Sequence, residues 1–266
     1  MNFSKNCIRV LAMNNERKDL LAEYSLGKNY LSFGGGVNSV ALMLWLIDHG
    51  IEFEAVFSNH GGDYPETYDY LNMLLDKGYP ITVLDVFYKS PRGSFKLYDY
   101  LYEYRLTPTI TMRWCTRDFK VQPIVDYVEK PCFMMIGISA EESHRAKRTR
   151  DYAFGIVRDY PLVDHSIDRE GCKEIIRSHG LPLPPKSGCF FCPFQKRQEI
   201  RNLYKRKDDL FCRALTLEKR STQRGLELGK RELSHLHSSN LPLEVIAMTD
   251  QEDLFDDTEQ SCVCHS

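Results

Sequence analysis

The chain has 266 residues, 42% hydrophobic and 27% charged, the make-up of an ordinary globular protein large enough to bury a full core. A formal net charge of −2 gives no global attraction for nucleic acid or an anionic membrane. No stretch approaches the roughly 18 uninterrupted apolar residues of a membrane span, so no membrane association is expected. The opening MNFSKNCIRV also lacks the apolar core of a signal peptide. Nine cysteines, an odd number at irregular spacing, do not read as a secreted disulfide framework. A reducing, cytoplasmic setting is expected, in which such thiols bind metal or carry redox chemistry.

Residues 1–28 read as a helical, partly polar lead-in. From Asn29 the pattern changes to strand and helix in alternation. Tyr30–Phe33 is a short strand candidate running into Gly34, Gly35 and Gly36. Val40 to Ile47 is a nearly continuous apolar helix with Gly50 as its stop. Ile51–Ser58 is a second strand candidate. Pro65 stands where a helix takes its first residue, and Thr67–Lys77 carries that helix to Gly78. Ile81–Phe87 and Cys132–Ile138 are further strand candidates, and Tyr160–Val163 is read as starting or forming another short element. This alternation over 29–180 predicts a parallel, five-stranded α/β sheet with helices on both faces. Residues 181–248 form a cysteine loop, LPLPPKSGCFFCPFQ, followed by a basic helical extension over Gln195–Leu233. Between Lys196 and Arg231 there are twelve Lys/Arg against five Asp/Glu. Residues 249–266 read as an acidic flexible tail.

The segment Ser32-Phe33-Gly34-Gly35-Gly36-Val37-Asn38-Ser39 is the most informative. Side-chain-free residues let the backbone approach a ligand closely. The helix behind them offers unpaired N–H groups and its positive dipole end. Phosphate is the natural occupant, with the Ser32 and Ser39 hydroxyls as further donors. The same glycines would also serve a turn that only lets helix and strand pack. The spacing is not that of a Walker loop or a dinucleotide fingerprint.

The loop resembles the PP-loop, Ser-x-Gly-Gly-x-Asp-Ser, of ATP pyrophosphatases and sulfonucleotide reductases. Val37 stands where many members have lysine, and Asn38 where most have aspartate. Three further segments resemble the phosphoadenosine-phosphosulfate reductase family in its own order: Asn59–Thr67, Arg113–Lys120 and Gly137–Arg145. Together they span roughly residues 30 to 195. The resemblance implies an adenine nucleotide α-hydrolase-like fold that binds an adenine nucleotide. It places Ser58 and Asn59 near adenine or ribose, Gly137 on the other side of the nucleotide, and Lys120 and Arg145 against phosphate or sulfate. Ser139 replaces an arginine often found at its position, which weakens a sulfonucleotide as substrate.

Cys189-Phe190-Phe191-Cys192-Pro193 is a Cys-x-x-Cys on a loop led by Gly188, a spacing that can grip zinc or an iron–sulfur cluster. In the adenylyl-sulfate branch of the resembled family, a Cys-Cys pair and a distant Cys-x-x-Cys hold a 4Fe–4S cluster. Here the pair reads Cys115-Thr116, which leaves Cys115, Cys189 and Cys192. Three thiolates leave one iron open, and the chain is similar in this to cluster-dependent transfer-RNA thiolases. Zinc on these three cysteines and a histidine is the alternative. Cys264-His265 partly echoes a mobile carboxyl-terminal thiol of the reductases, which makes Cys264 a candidate nucleophile. An unstructured tail with incidental thiols is the other reading. Cys7, Cys132, Cys172 and Cys212 read as core or neutral.

These features lead to an ATP-dependent sulfurtransferase acting on a nucleobase, nucleoside or nucleic acid. ATP and Mg²⁺ would meet at the glycine loop, Asn38 and Cys264 are the catalytic candidates, and the sulfur donor is not identified. The basic 196–231 segment could hold a nucleic acid acceptor or be a solvated helix face. A homodimer is left open. The alternatives are a thiol-dependent sulfonucleotide reductase and a non-catalytic nucleotide- or nucleic-acid-binding module.

Overall fold

A computed structural model describes residues 27–146, 155–230 and 235–249. The lead-in up to residue 26, Cys7, and the tail with Cys262, Cys264 and His265 lie outside the described residues.

Five strands form one parallel sheet in the order β3-β2-β1-β6-β7. They are β1 (Lys28–Ser32), β2 (Glu54–Asn59), β3 (Ile81–Asp85), β6 (Cys132–Ile136) and β7 (Ile156–Asp159). β4 (Tyr88–Ser90) and β5 (Gly93–Phe95) make a separate antiparallel hairpin. Alternation along each central strand sends side chains to opposite faces. Leu31, Ala55, Phe57 and Met135 point into one hydrophobic core. Tyr30, Val56, Met134 and Ile136 point into another.

The first face is covered by α1 (Val37–His49), by α2 (Pro65–Asp76) and by a later helix described below. Pro65 does take the first helical position of α2. α1 is buried almost throughout and ends at Gly50, whose φ of 70° gives the left-handed cap that glycine adopts without cost. After the hairpin come α3 (Leu97–Tyr104), a short turn α4 (Trp114–Thr116), a π-helical segment Arg117–Val121 and α5 (Gln122–Tyr127). Ile124 of α5 and the following Val128 cover the second face. A 3-10 turn, Ala140–Arg145, follows β6.

The fifth strand is Ile156–Asp159, and the short element expected at Tyr160–Val163 is a helix that begins one residue later. Pro161 lacks the N–H a strand ladder needs, so the chain turns into α6 (Pro161–Asp164) there. α7 (Arg169–Ser178) then packs Cys172 and Ile176 against α1.

The basic extension forms two helices, α8 (Arg197–Lys205) and α9 (Asp209–Glu227). The break falls at Lys207, with φ of 56°, and at Asp208, whose carboxylate accepts from Leu210 N–H as the new N-cap. α10 (Leu243–Met248) closes the described chain. Buried Glu218 of α9 fastens the approach to α10 by accepting from the N–H groups of Leu236 and Leu243, both at 2.9 Å. A third core joins this extension to the 86–119 insertion. Leu97, Leu101 and Phe119 pack with Phe190, Phe191, Leu203, Leu210 and Leu217. The cysteine loop therefore sits inside a core built from both segments.

Candidate functional site

Strand order reverses on either side of β1, so the crevice between the carboxyl ends of β1 and β6 is where ligands of open α/β sheets sit. The glycine loop leaves β1 there, and Gly137 leaves β6 there. A cleft of ≈460 Å³ occupies this position.

Gly35 has φ of 69°, which a side chain would resist, and Gly36 is the N-cap of α1 with no side-chain cap bond. Val40 N–H is the first to reach back one turn, to Gly36 O at 3.0 Å. The N–H groups of Val37, Asn38 and Ser39 precede it and have no helical carbonyl to bond, so this end of α1 suits an anion. The cleft is lined by Ser32, Gly34, Gly36, Asn38, Ser39, Gly137 and Arg145 of the sequence-predicted set. Phe33 and Gly35 are not among the lining residues, and the Phe33 side chain is buried in the core. Ser39 Oγ donates to Gly36 O at 3.0 Å and so braces the loop itself. A Cβ on Gly137 would lie 2.9 Å from Asn38 C and Ser39 N. Glycine is thus required there by the backbone of α1, whatever the ligand.

Asn38 is held at both ends of its amide. Its Nδ2 donates to Glu142 Oε2 at 3.1 Å, and its Oδ1 accepts from Arg169 Nη1 at 3.2 Å. Arg145 Nη1 in turn meets Glu142 Oε1 at 2.5 Å. Arg169 reaches this point because Asp168 caps α7 by accepting from Gly171 N–H at 2.8 Å, and α7 packs on α1. Four cations, Arg145, Arg169, Lys186 and Lys196, line the cleft against two carboxylates, Glu141 and Glu142. Arg169 and Lys186 escaped the sequence reading, and Lys196 entered it only as the start of the basic 196–231 segment. Nothing local marks them, since they come from distant segments that only packing brings together.

Ser58, Asn59 and Lys120 are not among the residues lining this cleft. Ser58 Oγ donates to Lys120 O at 3.1 Å inside the protein, and Asn59 Nδ2 donates to Asp85 Oδ1 at 2.8 Å. Lys120 lies instead on the cysteine side. There Cys115, Cys189 and Cys192 share one small hollow with Arg113, Thr116 and Lys120.

The Cys-x-x-Cys loop is fixed by an antiparallel bridge between Asp63 and Cys189. Tyr64 N–H donates to Gly188 O and Phe190 N–H to Gly62 O, both at 3.2 Å. A Cβ on Gly62 would press on Phe191 at 2.7 Å, so the glycine lets the loop dock. Gln195 Nε2 donates to Tyr64 Oη at 2.5 Å and contacts the carbonyls of Cys189 and Phe190. His237, bonded to Gln195 O at 3.0 Å, secures the far end.

Behind Cys189 lies a buried polar chain that the sequence did not announce. His60, Asp63 and Cys189 bring their potential ligand atoms within 4.8 Å of one another. His60 Nδ1 accepts from Gly62 N–H at 3.1 Å, which leaves the ring proton on Nε2. That Nε2 faces Asp63 Oδ2 at 3.2 Å and Cys189 Sγ at 3.9 Å. The imidazole is therefore committed to positioning, and a metal at Nε2 would have to displace this proton. Lys120 Nζ, 3.7 Å from Asp63 Oδ1, balances the buried carboxylate. Tyr68 Oη accepts from Asp63 N–H at 3.3 Å, and burial, then the Asp63 carboxylate, raise that phenol above its ordinary range.

The two regions are joined by the Pro184–Gly188 strap. Lys186 and Ser187 line the cleft, and Ser187 Oγ would be 2.6 Å from a Cβ on Gly36. The next residue after the strap is Cys189. No helix among the described residues is long and apolar enough to cross a membrane. No protein-family model matches the chain, and no curated protein matches it.

Proposed function

We propose that the chain is a PP-loop enzyme of the adenine nucleotide α-hydrolase-like type that uses ATP to activate an acceptor for sulfur transfer. The observation that carries this reading is the strap. It connects a cationic, helix-N-terminal phosphate cleft directly to a loop of thiols. A site for nucleotide and a site for sulfur are thereby set side by side.

In this reading the β- and γ-phosphates of ATP lie against the first turn of α1, where Arg145, Arg169, Lys186 and Lys196 offset their charge. An acceptor oxygen attacks the α-phosphorus, and pyrophosphate leaves into the same cradle. A sulfur nucleophile at the hydrosulfide level then replaces AMP. Of the two cleft carboxylates, Glu142 is engaged with Asn38 and Arg145, so Glu141 is the candidate contact for Mg²⁺.

Cys115, Cys189 and Cys192 would hold the metal group. Zinc with Zn–S bonds of about 2.3 Å draws its thiolates to about 3.8 Å from one another. Among the described residues, the only set of three potential ligands whose atoms lie within 4.8 Å of one another is His60, Asp63 and Cys189. The three thiols line one hollow, so three thiolate donors are available to a group that spans them. Such a group, an iron–sulfur cluster, would supply an iron position open to sulfur. His60 and Lys120 hold Cys189 and Asp63 in place whichever group binds.

Arg169→Ala tests the cleft. Calorimetric titration with ATP and Mg²⁺ should show binding to the wild type, weakened at least tenfold in the variant. Unchanged affinity would place the nucleotide elsewhere and remove the basis of the proposal.

A further inference from the structure

A second chamber, of ≈340 Å³, opens on the other side of the strap. It shares Pro185, Lys186 and Ser187 with the phosphate cleft. It shares Cys189, Cys192 and Phe194 with the thiol hollow. A molecule bound here would border both the cleft and the thiol hollow.

The wall chemistry selects the occupant. Tyr64, Phe194 and Leu203 give flat and apolar surfaces. Burial, reinforced by Glu199, raises the Tyr64 phenol above its ordinary range, so it remains neutral. The charged residues at the rim come in matched pairs: Lys186 with Glu199, and Arg206 with Glu66 at 2.7 Å. Arg206 also stands over the Tyr64 ring at 5.8 Å. No surplus charge of either sign is offered by these pairs, whereas in the cleft Arg145, Arg169 and Lys196 stand against Glu141 and Glu142 even with Lys186 set aside. Asn202 and Gln195 add amide groups to the lining. The volume lies at the small end of ligand pockets, about 300–1,000 Å³.

We infer that this chamber is the acceptor site, and that it takes an uncharged planar heterocycle bearing a ring amide, presented as a nucleoside. The inference rests on the sulfurtransferase reading and deepens it. The ring carbonyl oxygen forms a bond to the α-phosphorus of ATP as the bond to pyrophosphate breaks, and the ring N–H releases its proton. Hydrosulfide then forms the carbon–sulfur bond, the carbon–oxygen bond to AMP breaks, and the sulfide proton passes to the ring nitrogen. The products are a thioamide ring, AMP and pyrophosphate, with no change of oxidation state.

The test is calorimetric titration of the anaerobically purified full chain with uridine, cytidine, guanosine and inosine, alongside ATP. Asn202→Trp fills the chamber from an exposed position on α8, and Tyr64→Ala removes its aromatic wall by a different route. At least one nucleoside should bind the wild type. Both variants, folded by circular dichroism, should weaken it at least tenfold while ATP affinity changes less than twofold. Absence of nucleoside binding with ATP binding intact would overturn the acceptor assignment. So would nucleoside binding that survives both variants, or a parallel loss of ATP, which would make the chamber the site of the adenine. Failure of the underlying reading has a separate signature: nucleoside and ATP both bind, yet no AMP or pyrophosphate forms when sulfide is added.

Discussion

Asn38→Asp exchanges one amide nitrogen for oxygen and so turns the donor facing Glu142 into an acceptor. The affected contacts are 3.1 Å to Glu142 Oε2 and 3.2 Å to Arg169 Nη1. At an effective dielectric constant of about 20, a carboxylate here is repelled by Glu142 and attracted by Arg169 by about 5 kcal/mol each. These two contributions nearly cancel. The lost hydrogen bond to a charged acceptor, about 1.5–3 kcal/mol, does not. N38D should therefore lose about 1.5–3 kcal/mol, read as a lower urea midpoint at unchanged m. Adding Glu142→Gln returns a donor to the contact and should recover most of the loss. The double-mutant cycle should show a coupling of at least about 1 kcal/mol. Equal midpoints for N38D and wild type, or an E142Q effect that is the same in both backgrounds, would refute this account of why asparagine stands in the loop.

Other expectations follow from the same contacts. Gly137→Ala places a Cβ 2.9 Å from the backbone of Asn38 and Ser39. It should cost about 1–3 kcal/mol of stability and weaken ATP binding; a variant with wild-type midpoint and affinity would show that β6 and α1 are not in this contact. Burial pushes the Cys172 thiol up to about 12 from 9.0 and the Tyr70 phenol up to about 12 from 10.0. The unfolded chain then loses these protons first, so stability should fall as pH rises from about 9 towards 12. Cys172→Ala should flatten the part of that slope between 9 and 10, and an unchanged slope would mean the thiol is not shielded. Cys212 is exposed on α9 whereas Cys132 and Cys172 are buried. Brief iodoacetamide treatment of the native protein should label Cys212 and spare the other two, by peptide mass analysis; labelling of Cys172 in the folded state would contradict its place under α1.

Much of this arrangement was legible in the sequence because it depends on local grammar. Gly50 and Pro65 mark helix ends through their own backbone preferences, and both do so in the structure. The glycine loop was readable because close backbone approach needs residues without side chains. Tyr160–Val163 leaves the kind of element open, and Pro161, which takes the first position of α6, decides for a helix. The basic 195–233 stretch hid its own break, since Arg206-Lys207-Asp208 carries no glycine or proline and announces itself only through Asp208 as a cap. Arg169, Lys186 and the His60–Asp63–Cys189 chain were not legible at all. Their roles arise from contacts across more than a hundred residues, as in the 131-residue separation of Arg169 from Asn38. Lys120 was read as a phosphate contact from a resemblance, whereas its charge is spent on Asp63 beneath the cysteine loop.

Iron, zinc and acid-labile sulfide content of anaerobically purified protein tests the pairing of a nucleotide cleft with a thiol-held sulfur site most directly. The account predicts about four irons and four sulfides per chain, with broad visible absorbance that is lost in Cys115→Ala, Cys189→Ala and Cys192→Ala. Stoichiometric zinc without colour or sulfide would contradict it.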